Sequence, residues 1–575
     1  MKIILVYPFC LEARMHAEDS AVVPMGLYYI GALLKQHGYD VEVLNWHDID
    51  KDPPGITTAL QEKQPDVIGF SILQANRWGG IEIARIAKNL SPRVKIVFGG
   101  IGATFLWNHF LTHFQEVDVI VLREGEYPFL HLVQSFEKSD MKGLGKIRGI
   151  AFRKNGRPFQ TPDAGFIQNL DSLPDPAIWF DFQHVALTRG CPANCTFCGS
   201  PGFWKRKVRF HSADYFVHQL ERLGHRGIKF FYFSDDTFTL RKEIVIKVCQ
   251  KIIERRLDIT WTAISRVNYV DDGMMQWMKK AGCIQISYGV ESGSRQIRDL
   301  LNKNITDKQI ENAFAVTQKQ GIMARAYFIY GCPGENHTTI KASLDLIRRI
   351  NPLSVIFYIL DIFPGTALYE QFHEKTHAGD DIWLNKIEDI MYFETDPDLT
   401  KEMILEFGET LRTTFYQSLP AFVDAIDLMD DKDLYPAHAD FCSRLGMTFD
   451  QGDYAGIAAI PNKRKVAEKL YEQALTYGPD ARAFLGLGMI RQKKGDFAGS
   501  VSVLSKGAKY FPDHEQIHLC LGISLMNTDA FEQALSYLSR FQHSRQALFF
   551  IAECYGALND TRNQALFQKK LSALS

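Results

Sequence analysis

Thr188-Arg189-Gly190-Cys191-Pro192-Ala193-Asn194-Cys195-Thr196-Phe197-Cys198-Gly199 sets three thiols within eight positions, directly after a run, His184 to Thr188, that reads as a β-strand. Thiolates spaced by three and then two residues can converge on one metal ion or one iron–sulfur cluster, and Gly190 and Gly199 let the backbone wrap closely around it. Three ligands leave one position open. Structural zinc closes its shell with four Cys or His ligands, and no nearby CxxC or HxxxH supplies the fourth. On spacing alone, a cluster and zinc both remain.

Downstream of the loop the pattern alternates strand candidates with helical stretches. The strands are Lys229 to Ser234, Asp258 to Ser265, Cys283 to Gly289, Met323 to Tyr330 and Leu353 to Leu360. With His184 to Thr188 they make six units between about 184 and 400, which suits a curved, partial (β/α)6 barrel. Their ends carry Phe233-Ser234-Asp235-Asp236-Thr237-Phe238, Ser265-Arg266-Val267-Asn268, Tyr288-Gly289-Val290-Glu291-Ser292-Gly293, Tyr330-Gly331-Cys332-Pro333-Gly334-Glu335 and Phe363-Pro364-Gly365-Thr366. A lone Asp or Arg reads as a helix cap or a solvated charge. Recurrence at successive strand ends, the face on which α/β barrels build their sites, argues for a functional site.

Together these motifs resemble the radical S-adenosylmethionine (SAM) superfamily over roughly residues 184 to 370. The resemblance implies a 4Fe-4S cluster on Cys191, Cys195 and Cys198, with one iron free for the amino-acid part of SAM. It implies SAM-binding roles for Phe197, Asp235, Asp236, Arg266, Glu291 and Tyr330. Asp235, Asp236 and Glu291 suit the cofactor's ammonium or ribose hydroxyls, and Arg266 suits its carboxylate. Gly331 and Gly334 read equally as turn residues. Tyr330, Phe363 and Trp383 could contact substrate or fill the core. Trp204, Lys205, Arg206, Lys207 and Arg209 could line the substrate or the cobalamin tail, while a basic stretch more often reads as a solvated face. Cys332 reads as packing.

Before the barrel, from the start to about residue 145, strands Lys2 to Tyr7, Tyr39 to Leu44, Val67 to Ser71, Lys95 to Gly99 and Val117 to Leu122 alternate with helical segments Gly26 to His37, Trp78 to Asn89 and Glu126 to Phe136. That predicts a parallel sheet covered by helices. Residues 146–183 break the rhythm, with a hairpin-like Asn155-Gly156 and prolines at 174 and 176, and read as a linker. The first domain resembles the Rossmann-like cobalamin (B12)-binding domain attached to many radical SAM enzymes. The residues that carry this are Val23-Pro24-Met25-Gly26-Leu27, Pro65 to Ser71, Phe98-Gly99-Gly100-Ile101-Gly102-Ala103-Thr104 and Arg123-Glu124-Gly125-Glu126. Small residues at strand ends let a bulky corrin approach the backbone. The resemblance implies cobalamin contacts from Met25, Gly26, Ser71, Leu73, Gln74, Gly99, Gly100, Gly102, Ala103, Glu124, Gly125 and Glu126. The Asp-x-His-x-x-Gly string that ligates cobalt in the methionine-synthase kind is missing, since His16 has Arg14 and Ser20 where the pattern wants Asp and Gly. Cobalt is therefore expected to have no protein imidazole below it, with Leu73 and Gln74 facing the corrin.

Past about residue 400 the β signal fades. Residues 401–460 read as a helical connector and 461–575 as helical repeats. Asp496 and Asp529 are 33 apart, as are Pro479 and Pro512, close to the roughly 34-residue tetratricopeptide (TPR) period. Leu485, Leu487, Leu504, Leu521 and Leu525 fall at helical spacing and predict the interior of about three stacked hairpins.

The whole chain of 575 residues carries 65 Lys and Arg against 67 Asp and Glu, so nothing global suggests a nucleic-acid partner. No segment approaches the roughly 18 apolar residues of a membrane span. The apolar run Ile3 to Leu11 reads as a buried strand rather than a leader, because Glu12, Glu18 and Asp19 follow it. Ten sparse cysteines point to a reducing, cytoplasmic compartment.

The function the resemblance implies is a cobalamin-dependent radical SAM methyltransferase acting on an unactivated carbon. A 5'-deoxyadenosyl radical would take a substrate hydrogen and methylcobalamin would deliver the methyl group. An external one-electron reductant such as flavodoxin or ferredoxin would feed the cluster. The substrate would be a small molecule, a peptide or a carrier-bound group, and a protein partner could dock on the repeats. The alternatives are an oxidative cyclase or rearrangement enzyme with the same cofactors, and a cofactor-binding sensor acting through its repeats.

Overall fold

A computed structural model describes residues 1–10, 22–46 and 53–573. His16, with Arg14 and Ser20, lies outside the described residues. The chain divides into two compact units: one of Met1–Ala313, Arg325–Ile350 and Ser354–Leu411, the other of Phe314–Ala324, Asn351–Leu353 and Arg412–Ser575.

The first unit opens with a seven-stranded sheet. Its strands are β1 (Lys2–Pro8), β2 (Asp40–Trp46), β3 (Val67–Ser71), β4 (Lys95–Gly99), β5 (Val119–Val121), β6 (Ile150–Lys154) and β7 (Arg157–Gln160), in the order β2-β1-β3-β4-β5-β6-β7. β1 to β5 run parallel, with Ile3 beside Val67 and Ser71 beside Gly99. Ile3, Ile4, Leu5 and Val6 are fully buried. Such an unbroken apolar run is what a strand covered by helices on both faces requires. The order 2-1-3-4-5 turns back between β1 and β3, and open α/β sheets bind ligands outside the carboxyl ends at such a point.

The expectation of a linker at 146–183 needs correction. Residues 150–160 form a hairpin, β6 and β7, that pairs antiparallel to β5 and extends the first sheet. Asn155 and Gly156 both take positive φ, 53° and 78°, at its turn. Two consecutive left-handed residues give a turn whose twist suits paired strands.

A second sheet has six strands: β8 (His184–Val185), β11 (Phe230–Phe233), β12 (Thr260–Ser265), β13 (Cys283–Glu291), β14 (Met323–Tyr330) and β15 (Ser354–Ile359), ordered β8 to β15 in sequence. The expected first strand, His184 to Thr188, is split. Its end becomes β9 (Thr188–Arg189), which pairs antiparallel with β10 (Arg209–Phe210). That small ribbon carries the cysteine loop between its strands.

In the second unit the helices Tyr435–Asp450, Lys463–Tyr477, Ala481–Lys493, Phe497–Tyr510, Glu515–Met526, Phe531–Leu538, Arg545–Ala557 and Thr561–Ser572 pack in succession. Leu487, Leu504, Leu521 and Leu525 are buried, as the spacing predicts, while Leu485 is half-buried. The stretch expected to be a helical connector is helical, with helices Lys401–Asp424 and Tyr435–Asp450, and Gly446 lets the Tyr471 ring of the next helix lie against Tyr435–Asp450. No described helix is long and apolar enough to cross a membrane.

Candidate functional site

At the carboxyl ends of β1, β3, β4 and β5 opens a cavity of about 650 Å³. Met25, Gly26, Ser71, Leu73, Gly99, Gly100, Glu124, Gly125 and Glu126 line it. Its opposite wall is Thr188, Arg189, Gly190, Phe203, Trp204 and Asp236, so the first sheet faces the cysteine loop across one space. A methyl group added to Gly26 would meet nothing within 4 Å, and one on Gly99 nothing closer than 3.8 Å. The backbone there is bare and open, which suits the approach of a broad planar ligand.

Three of the expected cobalamin contacts, Gln74, Gly102 and Ala103, do not reach the cavity wall. A Cβ on Gly102 would lie 2.7 Å from the Leu73 carbonyl carbon and 2.9 Å from the Gln74 nitrogen. Gly102 thus seats the loop after β3 on the helix Gly100–Phe105, and Ala103 is fully buried in it. Glu124 and Glu126 do face the cavity, yet their carboxylates are engaged: Glu124 with Arg189 at 2.8 Å and Arg209 at 2.7 Å, Glu126 with Arg189 at 2.7 Å. Burial alone would lower the Arg189 pKa, but the two carboxylates outweigh it and hold the guanidinium firmly protonated. Arg209 is only 8 % exposed, which corrects its reading as part of a solvated face. Lys205, Arg206 and Lys207 are exposed as expected.

All ten cysteines are free thiols. Cys195 is buried, and Cys191 and Cys198 are half-buried. The loop is held on several sides: Thr196 N–H donates to Leu301 O at 3.1 Å, Leu368 N–H donates to Thr196 O at 3.1 Å, and Asn302 Nδ2 donates to Asn194 O at 2.7 Å. Gly190 takes φ +99°, and a Cβ there would sit 2.2 Å from Lys207 O. Only glycine fits. Burial pushes the Cys198 thiol up to about 12, with Asp236, Cys195 and Cys191 adding to the push, so the bare loop favours a protonated Cys198 and a bound cation would reverse that. In a cluster each of three thiolates holds one iron.

Around the thiols stand several of the expected SAM residues. Arg266 is buried and donates to Cys195 Sγ at 3.4 Å and to Lys303 O. Glu291 has φ +68°, rare for a side-chain residue, and pairs with Lys303 at 2.6 Å. Gly289 makes room, since a Cβ there would strike both partners. Asp236 accepts from Ser200 Oγ at 2.8 Å and reaches the cavity. Asp235 is otherwise engaged: fully turned inward, it accepts from Thr188 N at 2.6 Å and Leu187 N at 3.3 Å, bracing the strand that leads into the loop. Burial pushes its carboxyl up to about 7 against those donors. Tyr330 and Cys332 are buried. Phe197 is half-buried in the loop. Trp383 is core, donating to Tyr369 Oη at 2.7 Å.

Sequence reasoning named Glu124 and Glu126 as cobalamin contacts and Arg209 as part of a solvated face, and it missed that these carboxylates instead hold Arg189 and Arg209. The only signal was that Arg189 and Glu124 both stand inside motifs already singled out.

Residues 185–347 match the family described as the radical SAM superfamily, and residues 19–133 match the B12 binding domain. A Pyrococcus horikoshii protein, named as an uncharacterised methyltransferase, is 32 % identical over 383 residues, 64 % of this chain and 83 % of that one. The chain belongs to the B12-binding radical SAM proteins. Among its relatives is the anaerobic magnesium-protoporphyrin IX monomethyl ester cyclase of Rubrivivax gelatinosus, 26 % identical over 66 % of this chain and 71 % of that one. In fold, this radical SAM protein is similar to the TsrM methyltransferase of Kitasatospora setae with cobalamin and a [4Fe-4S] cluster bound. The TM-score is 0.57 at 16 % identity, over 82 % of this chain and all of that one.

Proposed function

We propose that the protein is a cobalamin-dependent radical SAM methyltransferase, in which Cys191, Cys195 and Cys198 hold a 4Fe-4S cluster and the cavity between the first sheet and the cysteine loop holds the corrin. The observation that carries this reading is the single space of about 650 Å³ bounded by Ser71, Leu73, Gly99 and Gly100 on one side and by Arg189, Gly190 and Asp236 on the other. When bound, the cluster and SAM supply radical generation and the corrinoid supplies a methyl group; the protein supplies distance, orientation and exclusion of water. Leu73 and Met25 give the corrin an apolar seat and Gly99 keeps its floor flat. Arg266, between Cys195 and the loop at Lys303, would take the SAM carboxylate, and Asp236 and the Glu291 to Lys303 pair would meet its polar groups. Tyr330 and Phe197 would pack against it.

The relative named as a methyltransferase supports methyl transfer. The cyclase relative keeps a second reading open, oxidative ring closure with the same cofactors. A low-potential one-electron donor such as flavodoxin or ferredoxin, found in a reducing cytoplasm, would serve either. The stacked helices of the second unit would act as TPR-like repeats that receive a protein or a carrier-bound substrate. Anaerobic reconstitution with iron, sulfide and cobalamin, followed by incubation with SAM carrying a deuterated methyl group, tests the proposal. A product heavier by the labelled methyl supports it. Reductive SAM cleavage with an unlabelled, dehydrogenated product overturns methyl transfer in favour of cyclisation.

A further inference from the structure

Outside the cavity, a second set of metal-ligating side chains converges in the first unit. His109 and His113 lie four residues apart on the helix Trp107–His113, so both rings project from one face. Their centroids are 4.9 Å apart. Asp381, in the turn Asp380–Leu384, brings Oδ1 to 3.1 Å from His113 Nε2. One ligand atom from each of the three lies within 4.8 Å of the other two, and among the described residues no other group of three or more His, Cys, Asp or Glu draws so close.

The unusual member is His109. It is only 3 % exposed, and neither ring nitrogen has a hydrogen-bond partner. Buried polar atoms are nearly always paired, and one left alone calls for an unplaced water or ion. His113 and Asp381 keep 30 % and 77 % of their side chains in solvent, which gives an ion a way in.

We propose that His109, His113 and Asp381 bind a divalent transition-metal ion, with zinc the best match. Two imidazoles and one carboxylate are borderline donors, and three protein ligands with a water in the fourth position make a tetrahedral zinc shell. The ion would fasten the helix Trp107–His113 of the first sheet's layer to the turn beyond β15. Arg77 already holds that turn, donating to Trp383 O at 3.1 Å and Asn385 O at 2.7 Å. The site stands apart from the cysteine loop, and its failure would leave the methyltransferase reading untouched.

The test is zinc analysis of the full chain after gel filtration, in wild type, in His113→Ala, in Asp381→Asn and in a Cys191→Ala, Cys195→Ala, Cys198→Ala variant that removes competing thiols. The expected result is one zinc per chain in wild type and in the cysteine variant. His113→Ala and Asp381→Asn should bind it about tenfold or more weakly. Zinc should raise the thermal midpoint of the wild type and not that of His113→Ala. Both exposed residues can change without disturbing the core, so the variants should fold. No retained zinc in the cysteine variant, or equal zinc in His113→Ala, would overturn the proposal and leave His109 as a ring packed among Phe110 and Phe114.

Discussion

Arg189 and Glu124 meet at 2.8 Å, with 13 % and 3 % of their side chains exposed, so a residue two places before Cys191 is held by one that follows β5 of the other sheet. Arg209 joins the same carboxylate from the far strand of the ribbon. Both strands that carry the cysteine loop are therefore pinned to the layer expected to hold cobalamin.

Glu124→Gln should loosen that attachment. Removing one charge of a buried pair leaves the other uncompensated, a loss of about 3–5 kcal/mol. A lower thermal midpoint and a lower iron content per chain after reconstitution are the expected outcomes. Unchanged iron and midpoint would show the network to be incidental.

Cys191→Ala, Cys195→Ala and Cys198→Ala should each abolish 5'-deoxyadenosine formation, whereas Cys249→Ala, deep in the core, and Cys520→Ala should not. Chromatography of the nucleoside product checks this. Reductive SAM cleavage by Cys195→Ala would sink the cluster assignment.

Gly190→Ala asks for φ +99° from an alanine and puts its Cβ 2.2 Å from Lys207 O. The strain is on the order of 1–3 kcal/mol, and the loop must shift to relieve it. Iron content should fall although all three thiols remain, and normal loading would show that the loop tolerates the shift.

Glu335 offers a test by pH. Burial pushes its carboxyl from 4.5 up to about 7, against hydrogen bonds from the Cys332 and Gly331 N–H groups. The folded chain thus keeps a proton that the unfolded chain has released. The stabilisation is complete below about pH 4.5 and is lost as pH rises through 7, on the order of 3 kcal/mol in all. Thermal midpoints measured across that window should fall less steeply in Glu335→Gln than in wild type, and parallel profiles would contradict the assignment.

If the corrin sits as proposed, cob(II)alamin in the protein should show no nitrogen splitting from a histidine. Leu73 lies on the first sheet's side of the cavity, and the histidines on the wall, His184 and His211, come from around the barrel. Both ring nitrogens of His211 are engaged, by Tyr29 at 3.2 Å and Asp171 at 3.0 Å. Electron paramagnetic resonance of the reduced, loaded protein decides the matter.

The barrel was legible because each strand announces itself twice, by a β-branched or aromatic run and by the polar or glycine residues at its end. Of the hairpin of residues 150–160 only the Asn155-Gly156 turn was legible, since its strands are short and Pro158 stands inside one of them. Asp235 was read as a ligand contact because its position in the motif is visible, whereas its turn inward onto the Thr188 backbone depends on packing. The contacts of Arg189 with Glu124 and of His113 with Asp381 join residues distant in the chain, and nothing in local periodicity links such pairs.

The β6–β7 hairpin decides where the corrin-binding layer can be cut out as a module. Ended near residue 145, it would leave the outer edge of β5 with bare N–H and C=O groups along Val119, Ile120 and Val121, an invitation to pair with another chain. Ended after Gln160, the same piece closes on β7, whose exposed Arg157 and half-buried Pro158 discourage a further strand from adding on. The eleven or so residues that look like a tether are the selvedge that keeps the sheet from fraying into aggregates.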